Sequence, residues 1–165
     1  MYSVTKTIQF CYGHRLLNYQ GKCRYLHGHN GKVEIELSST ALDRRGMVRD
    51  FTEIKRALQG WIDTNLDHKM ILSKEDPVLP LLRAQQEPFF VIEENPTAEN
   101  LAKLIFDEAQ QMGFPVTSVQ LWETESSCAT YRRDNARSRR RTRVDAEPGR
   151  DRIGRARRRS TSTAA

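Results

Sequence analysis

The chain has 165 residues, 38% hydrophobic and 29% charged, which is enough for one ordinary globular core and too polar for a bundle of membrane helices. Its longest run free of polar residues and proline is Phe89-Phe90-Val91-Ile92, far short of the roughly 20 apolar residues of a membrane helix or the roughly 7–15 of a signal core, so neither an anchor nor an export signal is expected. Three scattered cysteines, Cys11, Cys23 and Cys128, argue against a disulfide framework or a Cys-x-x-Cys zinc module and fit a reducing cytoplasm.

The net charge of +6 is unevenly spread. Residues 133–165 carry twelve arginines against four acids, a local +8 that leaves −2 for residues 1–132. The basic segment has only Val144 and Ile153 as large aliphatic residues, too little apolar surface to offset its ordering entropy. We therefore expect a folded domain over 1–132 and a disordered arginine-rich tail over 133–165. The clusters Arg139–Arg141 and Arg157–Arg159 could hold nucleic-acid phosphates with a steep salt dependence. Against that reading, the tail has no aromatic residue for base stacking and the folded part is net acidic.

In sequence order, Val4, Ile8 and Phe10 share one parity over 2–11, and Val33, Ile35 and Leu37 alternate with Lys32, Glu34, Glu36 and Ser38, which predicts two half-buried strands. The stretch between them, 12–30, has no sustained period and reads as a long functional loop. Asp50 precedes Glu53 at capping-box spacing, and Phe51, Ile54, Leu58, Trp61, Ile62 and Leu66 predict a helix over 51–65. After Pro77 and Pro80, residues 89–93 read as a short strand. Thr97 opens a second helix with Leu101, Leu104, Ile105 and Met112 on its buried face and Gly113 at its end. Val119 and Leu121 alternate into a strand through Glu123. The order, two strands, helix, short strand, helix, two strands, is an α+β arrangement. Its expected four-stranded antiparallel sheet leaves a face and two edges for oligomerisation to cover.

Of only four histidines, His14, His27 and His29 fall within sixteen residues. His27 and His29 would project from one strand face, and antiparallel pairing across the loop would bring His14 beside them. Three imidazoles suit Zn²⁺ with a fourth position left for water or substrate; an ordinary exposed His-x-His pair is the competing reading. Cys23, four residues before His27, could be a thiolate beside a dication. Asp67-His68 reads either as an acid–base pair or as a polar helix stop in which His68 complements the helix dipole. Glu123 shares the parity of Val119 and Leu121; inward, it needs donors such as the adjacent N–H groups of a 2-aminopyrimidinone ring, and at a strand end it simply reaches solvent.

Taken together, His14, Cys23-Arg24-Tyr25-Leu26-His27-Gly28-His29, Asp50-Phe51, Leu66-Asp67-His68, Pro96-Thr97-Ala98-Glu99-Asn100 and Trp122-Glu123-Thr124 resemble the 6-pyruvoyltetrahydropterin synthase / 6-carboxytetrahydropterin synthase family over about residues 2–132. The resemblance implies a tunnelling fold (T-fold), with two helices on one face of an antiparallel sheet. Its sheets join into an oligomeric barrel, commonly a hexamer of two trimers, with active sites between subunits. It implies zinc on His14, His27 and His29, a proton-transfer set of Cys23, Asp67 and His68, and a pterin anchor at Glu123 with Thr97, Glu99 and Thr124 as neighbours. The implied substrate is 7,8-dihydroneopterin triphosphate. The product would be 6-carboxytetrahydropterin, on the route to queuosine, or alternatively the 6-pyruvoyl compound. Arg49 before Asp50 and Ala98 after Thr97 depart from the family pattern. A zinc hydrolase is a further alternative, and it predicts that Cys23 is dispensable.

Overall fold

The structure is a computed structural model that describes residues 1–133. The expected tail from 134 onward lies outside the described residues. β1 (Tyr2–His14) and β2 (His27–Ser39) form a long antiparallel ladder running from Tyr2 opposite Ser39 to His14 opposite His27. Alternation along the strands decides the faces: Ile8, Phe10, Tyr12, Val33, Ile35 and Leu37 are buried, whereas Thr5, Thr7 and Gln9 are exposed. The irregular loop is thus 15–26 rather than 12–30, because Tyr12 and His14 continue the inward parity of Ile8 and Phe10.

The first helical segment runs through α1 (Phe51–Ile54), a π-helical turn (Lys55–Gln59) and α2 (Gly60–Asn65). Its buried residues Ile54, Leu58, Ile62 and Leu66 are spaced by four. On an α-helix each such step over-rotates by about 40°, and the wider π turn takes up part of that drift and keeps the stripe facing inward. Phe51 points outward, 52% exposed. Asp50 caps the Thr52 N–H at 2.7 Å, but Glu53 turns to Arg45 and Arg49 instead of completing a capping box. Arg49 lies over the Phe114 ring and donates to the Gly113 carbonyl, tying this helix to the end of the other.

β3 (Lys69–Ser73), α3 (Leu79–Ala84) and β4 (Phe89–Ile92) follow, β3 parallel to β1 and β4 parallel to β3. α4 (Ala98–Gln111) starts at Thr97, whose Oγ1 accepts from the Asn100 N–H. It buries Leu101, Ala102, Ile105, Phe106 and Ala109, with Leu104 only partly buried and Met112 37% exposed, which corrects the expected stripe. Gly113, at φ +81°, ends it: the Gly113 N–H reaches the Gln110 carbonyl and the Phe114 N–H the Ala109 carbonyl, a Schellman closure. Arg133, assigned from sequence to the tail, donates to Asp107 on this helix at 2.7 Å.

β5 (Val116–Thr124) and β6 (Ser127–Tyr131) complete one six-stranded mixed sheet in the order β4-β3-β1-β2-β5-β6. The α+β class stands, but the four-stranded, wholly antiparallel sheet does not. β3 is short and buries three consecutive residues, Ile71, Leu72 and Ser73, so it carries no alternation to read. The stripes of the first helical segment and of α4 join the inward faces of β1, β2 and β5 in one apolar core. No helix among the described residues is long and apolar enough to cross a membrane.

Candidate active site

The β1–β2 register builds the centre of the site. His14 lies opposite His27, and Tyr12 opposite His29, so three imidazoles meet at the open end of the ladder. Ring centroids are 4.5 Å apart for His14–His27 and 5.1 Å for both His14–His29 and His27–His29. Each ring offers a nitrogen within 4.8 Å of the others. His14 Nδ1 lies 2.7 Å from the Pro96 carbonyl and His27 Nδ1 2.8 Å from the Tyr25 carbonyl. A carbonyl can only accept, so Nδ1 carries the proton in both rings and Nε2 keeps its lone pair. His29 Nε2 lies 3.2 Å from His14 Nε2.

His27 Nε2 is buried and has no hydrogen-bond partner. A buried lone pair left unpartnered is costly, and a metal ion is a partner that would satisfy it. The donor set of three imidazoles, two of them braced through Nδ1, therefore fits Zn²⁺. Burial pushes the His14 imidazolium down in pKa, against the opposing pull of the Pro96 carbonyl and Glu123, which favours the neutral ligand form.

Glu123 reaches the same centre from β5, at a break in the β5–β6 register between Trp122 and Thr124. Its Oε1 accepts from the Tyr12 hydroxyl at 3.2 Å and lies 3.7 Å from His14 Nε2. Burial first, and then the Glu123 charge and hydrogen bond, push the Tyr12 phenol well above its ordinary pKa, so it remains a donor. Sequence reading missed Tyr12 because it lay in the expected loop; its parity with Ile8, Phe10 and His14 was the available signal.

Cys23 sits in a single 3₁₀ turn (Lys22–Arg24), where its carbonyl accepts the Leu16 N–H at 2.8 Å. The Asn95 amide clamps the other side of this loop, accepting from the Leu17 N–H and donating to the Leu17 carbonyl. Arg15 and the buried Asp76 form a further brace. Cys23, His14, Thr97, Ala98, Glu99 and Glu123 line one cavity of about 360 Å³. Thr124 lines another, beside His29, Trp122 and Glu123.

His68 lines another cavity, of about 560 Å³, together with Cys11 and with His27 and His29 of the imidazole cluster, and without Cys23. Asp67 accepts from the Cys11 N–H at 2.8 Å and from His68 Nδ1 at 2.7 Å, and His68 takes a left-handed φ of 55°. Burial opposes the Asp67 charge, but those hydrogen bonds prevail and hold its carboxyl below its usual pKa. The pair thus has an oriented imidazole. Cys23 and the Asp67–His68 pair do not line the same cavity of this chain.

Residues 3–134 match the family described as 6-pyruvoyl tetrahydropterin synthase. The chain belongs to that family. Its relatives include the 6-carboxy-5,6,7,8-tetrahydropterin synthases of Rickettsia conorii, 37% identical over 75% of this chain and 95% of the relative, and of Aquifex aeolicus, 35% identical over 81% and 99%. Among solved structures, an uncharacterized protein of Wolinella succinogenes aligns with a TM-score of 0.67 at 29% identity, over 81% of this chain and 98% of that one. The 6-pyruvoyl tetrahydropterin synthase of Caenorhabditis elegans shares the fold at TM-score 0.61 and 21% identity, over 81% and 96%.

Proposed function

We propose that this protein is a zinc-dependent 6-carboxy-5,6,7,8-tetrahydropterin synthase of the cytoplasm that acts on 7,8-dihydroneopterin triphosphate, on the route to queuosine and other 7-deazapurines. The observation that carries this reading is the convergence of His14, His27 and His29 beside Glu123, with Cys23 lining the same cavity as His14 and Glu123. The curated relatives' names favour the carboxy product over the pyruvoyl one.

His14, His27 and His29 would hold Zn²⁺, which supplies Lewis acidity toward the oxygens of the substrate's side arm. Glu123 accepts two parallel N–H bonds from the 2-aminopyrimidinone edge, which sets the register of the pterin ring. Thr97, Glu99 and Thr124 flank that anchor. Cys23 Sγ takes the proton from the carbon of the substrate's side arm that is to be activated. Asp67 fixes the His68 tautomer and orientation, and His68 delivers the complementary proton. Triphosphate leaves, the side arm is oxidised as the dihydropterin ring is reduced, and a water molecule adds to the side-arm carbon attached to the ring as its bond to the next carbon breaks, giving the 6-carboxylate and acetaldehyde.

That Cys23 and His68 line different cavities of the chain supports a homo-oligomer whose sites lie between subunits, a hexamer of two trimers with the sheets joined into a barrel. Incubation with dihydroneopterin triphosphate tests the assignment. Acetaldehyde released in step with triphosphate is expected. Triphosphate without acetaldehyde assigns the pyruvoyl product instead, and no turnover removes the reading.

A further inference from the structure

We propose that Tyr12 is a positioning residue for Glu123: its hydroxyl, carried from β1 past β2 to β5, occupies one lone pair of Oε1 and so turns the two carboxylate oxygens toward the pterin ring. The inference rests on the reading of Glu123 as the pterin anchor. Three observations carry it.

First, Glu123 sits where β5 loses its register with β6, so the ladder does not fix its direction. A glutamate there has free torsions, and a bidentate acceptor loses affinity for every rotamer that must be frozen on binding. The hydrogen bond from the Tyr12 hydroxyl to Oε1, at 3.2 Å, is the restraint that the sheet does not provide.

Second, Tyr12 is itself held firmly. It is 3% exposed, stacked on Phe10 at 5.3 Å, with its ring 5.3 Å from that of His14 and 5.7 Å from that of His29. Its ring also occupies space that Gly31 leaves open: a Cβ on Gly31 would lie 2.9 Å from Tyr12 Cε1. That crowding makes glycine at 31 part of the same device.

Third, the pinned Oε1 stands 3.7 Å from His14 Nε2, beyond hydrogen-bond reach. Untethered, the carboxylate is free to close on the imidazole cluster, where it would be lost to the ring. The phenol therefore keeps two neighbouring sites, three imidazoles and one carboxylate, from merging into one.

The test uses the full-length, zinc-loaded protein and neopterin as a fluorescent probe, with zinc content and Tm measured for each variant. Tyr12→Phe keeps the ring and removes only the donor; it should weaken neopterin about tenfold, the scale of one hydrogen bond to a charged acceptor. KM for the substrate should rise by a similar factor while kcat changes little, since the anchor holds ground and transition states alike. Glu123→Gln should weaken neopterin at least as much, and adding Tyr12→Phe to it should cost nothing further. Gly31→Ala, which displaces the intact ring, should act in the direction of Tyr12→Phe. Wild-type affinity in Tyr12→Phe alongside a weakened Glu123→Gln overturns the inference alone, as does full additivity in the double variant. Wild-type affinity in Glu123→Gln removes the anchor reading, and the inference falls with it.

Discussion

His29→Ala is the sharpest perturbation of the proposed metal centre, because His29 is the imidazole the fold needs least. His14 and His27 each tie a loop through Nδ1, to the Pro96 and Tyr25 carbonyls, so truncating either disturbs backbone as well as ligand. His29 makes no such tie; its polar contact is the 3.2 Å approach to His14 Nε2. Metal-linked stabilisation follows from mass action and reaches about 2.7 kcal/mol when free zinc is a hundredfold above Kd. Losing a direct ligand should cost no less than the upper end of an outer-sphere lesion, about a hundredfold in affinity. At the same zinc concentration the linked stabilisation then drops to about 0.4 kcal/mol. With about 2–4 °C of Tm per kcal/mol, the zinc-dependent rise should fall from roughly 5–10 °C to about 1–2 °C. Differential scanning fluorimetry with and without zinc measures this, and elemental analysis after dialysis counts the metal. A His29→Ala protein that keeps stoichiometric zinc and the full thermal shift refutes the ligand assignment.

Other substitutions probe the rest of the arrangement. Cys23→Ala should lose turnover by at least about a hundredfold, the scale of general acid–base contributions, with zinc content unchanged, whereas a zinc hydrolase would keep its activity. Asp76 is buried against Arg15, and although burial opposes its charge, the guanidinium and the Val78 N–H hold its carboxyl below the ordinary carboxylate value. Its stabilisation is therefore complete above pH of about 4 and drains away as pH falls through the lowered folded value. Asp76→Asn should cost about 2–3 kcal/mol at neutral pH, reduced by the partial exposure of Arg15, and should flatten the acid limb of a urea-denaturation series run against pH. Gly113→Ala meets no atom within 4 Å, so its cost is the left-handed backbone alone, about 1 kcal/mol, readable as a lower urea midpoint with unchanged m-value.

What the sequence disclosed tracks how each element expresses its burial. β1 and β2 present one buried face and one solvated face, so alternation betrays them, and the same alternation brings His14 opposite His27. β3 buries consecutive residues and looks like any three-residue apolar run. The helix over 51–65 was legible in its bounds, but the π turn was not, because the four-residue spacing that requires it resembles ordinary helical periodicity. Asp67-His68 was legible as a pair only. That Cys11 donates its backbone N–H to Asp67 depends on a parallel strand pairing for which local residues give no signal. The partners of Arg49 and Tyr12 share that invisibility, since the first reaches Gly113 and the second, whose inward parity was legible, reaches Glu123, far along the sequence in each case.

Because Cys23 and His68 line different cavities of the chain, the oligomer proposal has a consequence that a site built in one subunit does not share. If each site takes its thiol from one subunit and its imidazole from a neighbour, two inactive variants can repair one another. In an equal mixture of Cys23→Ala and His68→Ala subunits, a site is intact when its thiol comes from the His68→Ala subunit and its imidazole from the Cys23→Ala subunit. Random assembly gives that pairing at about one site in four, so unfolding and refolding the mixture should restore about a quarter of wild-type turnover. Each variant refolded alone should stay inactive, and mixing without refolding should restore little if subunits exchange slowly. A site built within one subunit always lacks one group in such a mixture, so its recovery is nil. Absence of recovery, with mixed oligomers confirmed by native mass spectrometry, would refute the shared site and require a rearrangement that brings His68 to Cys23 in the same subunit.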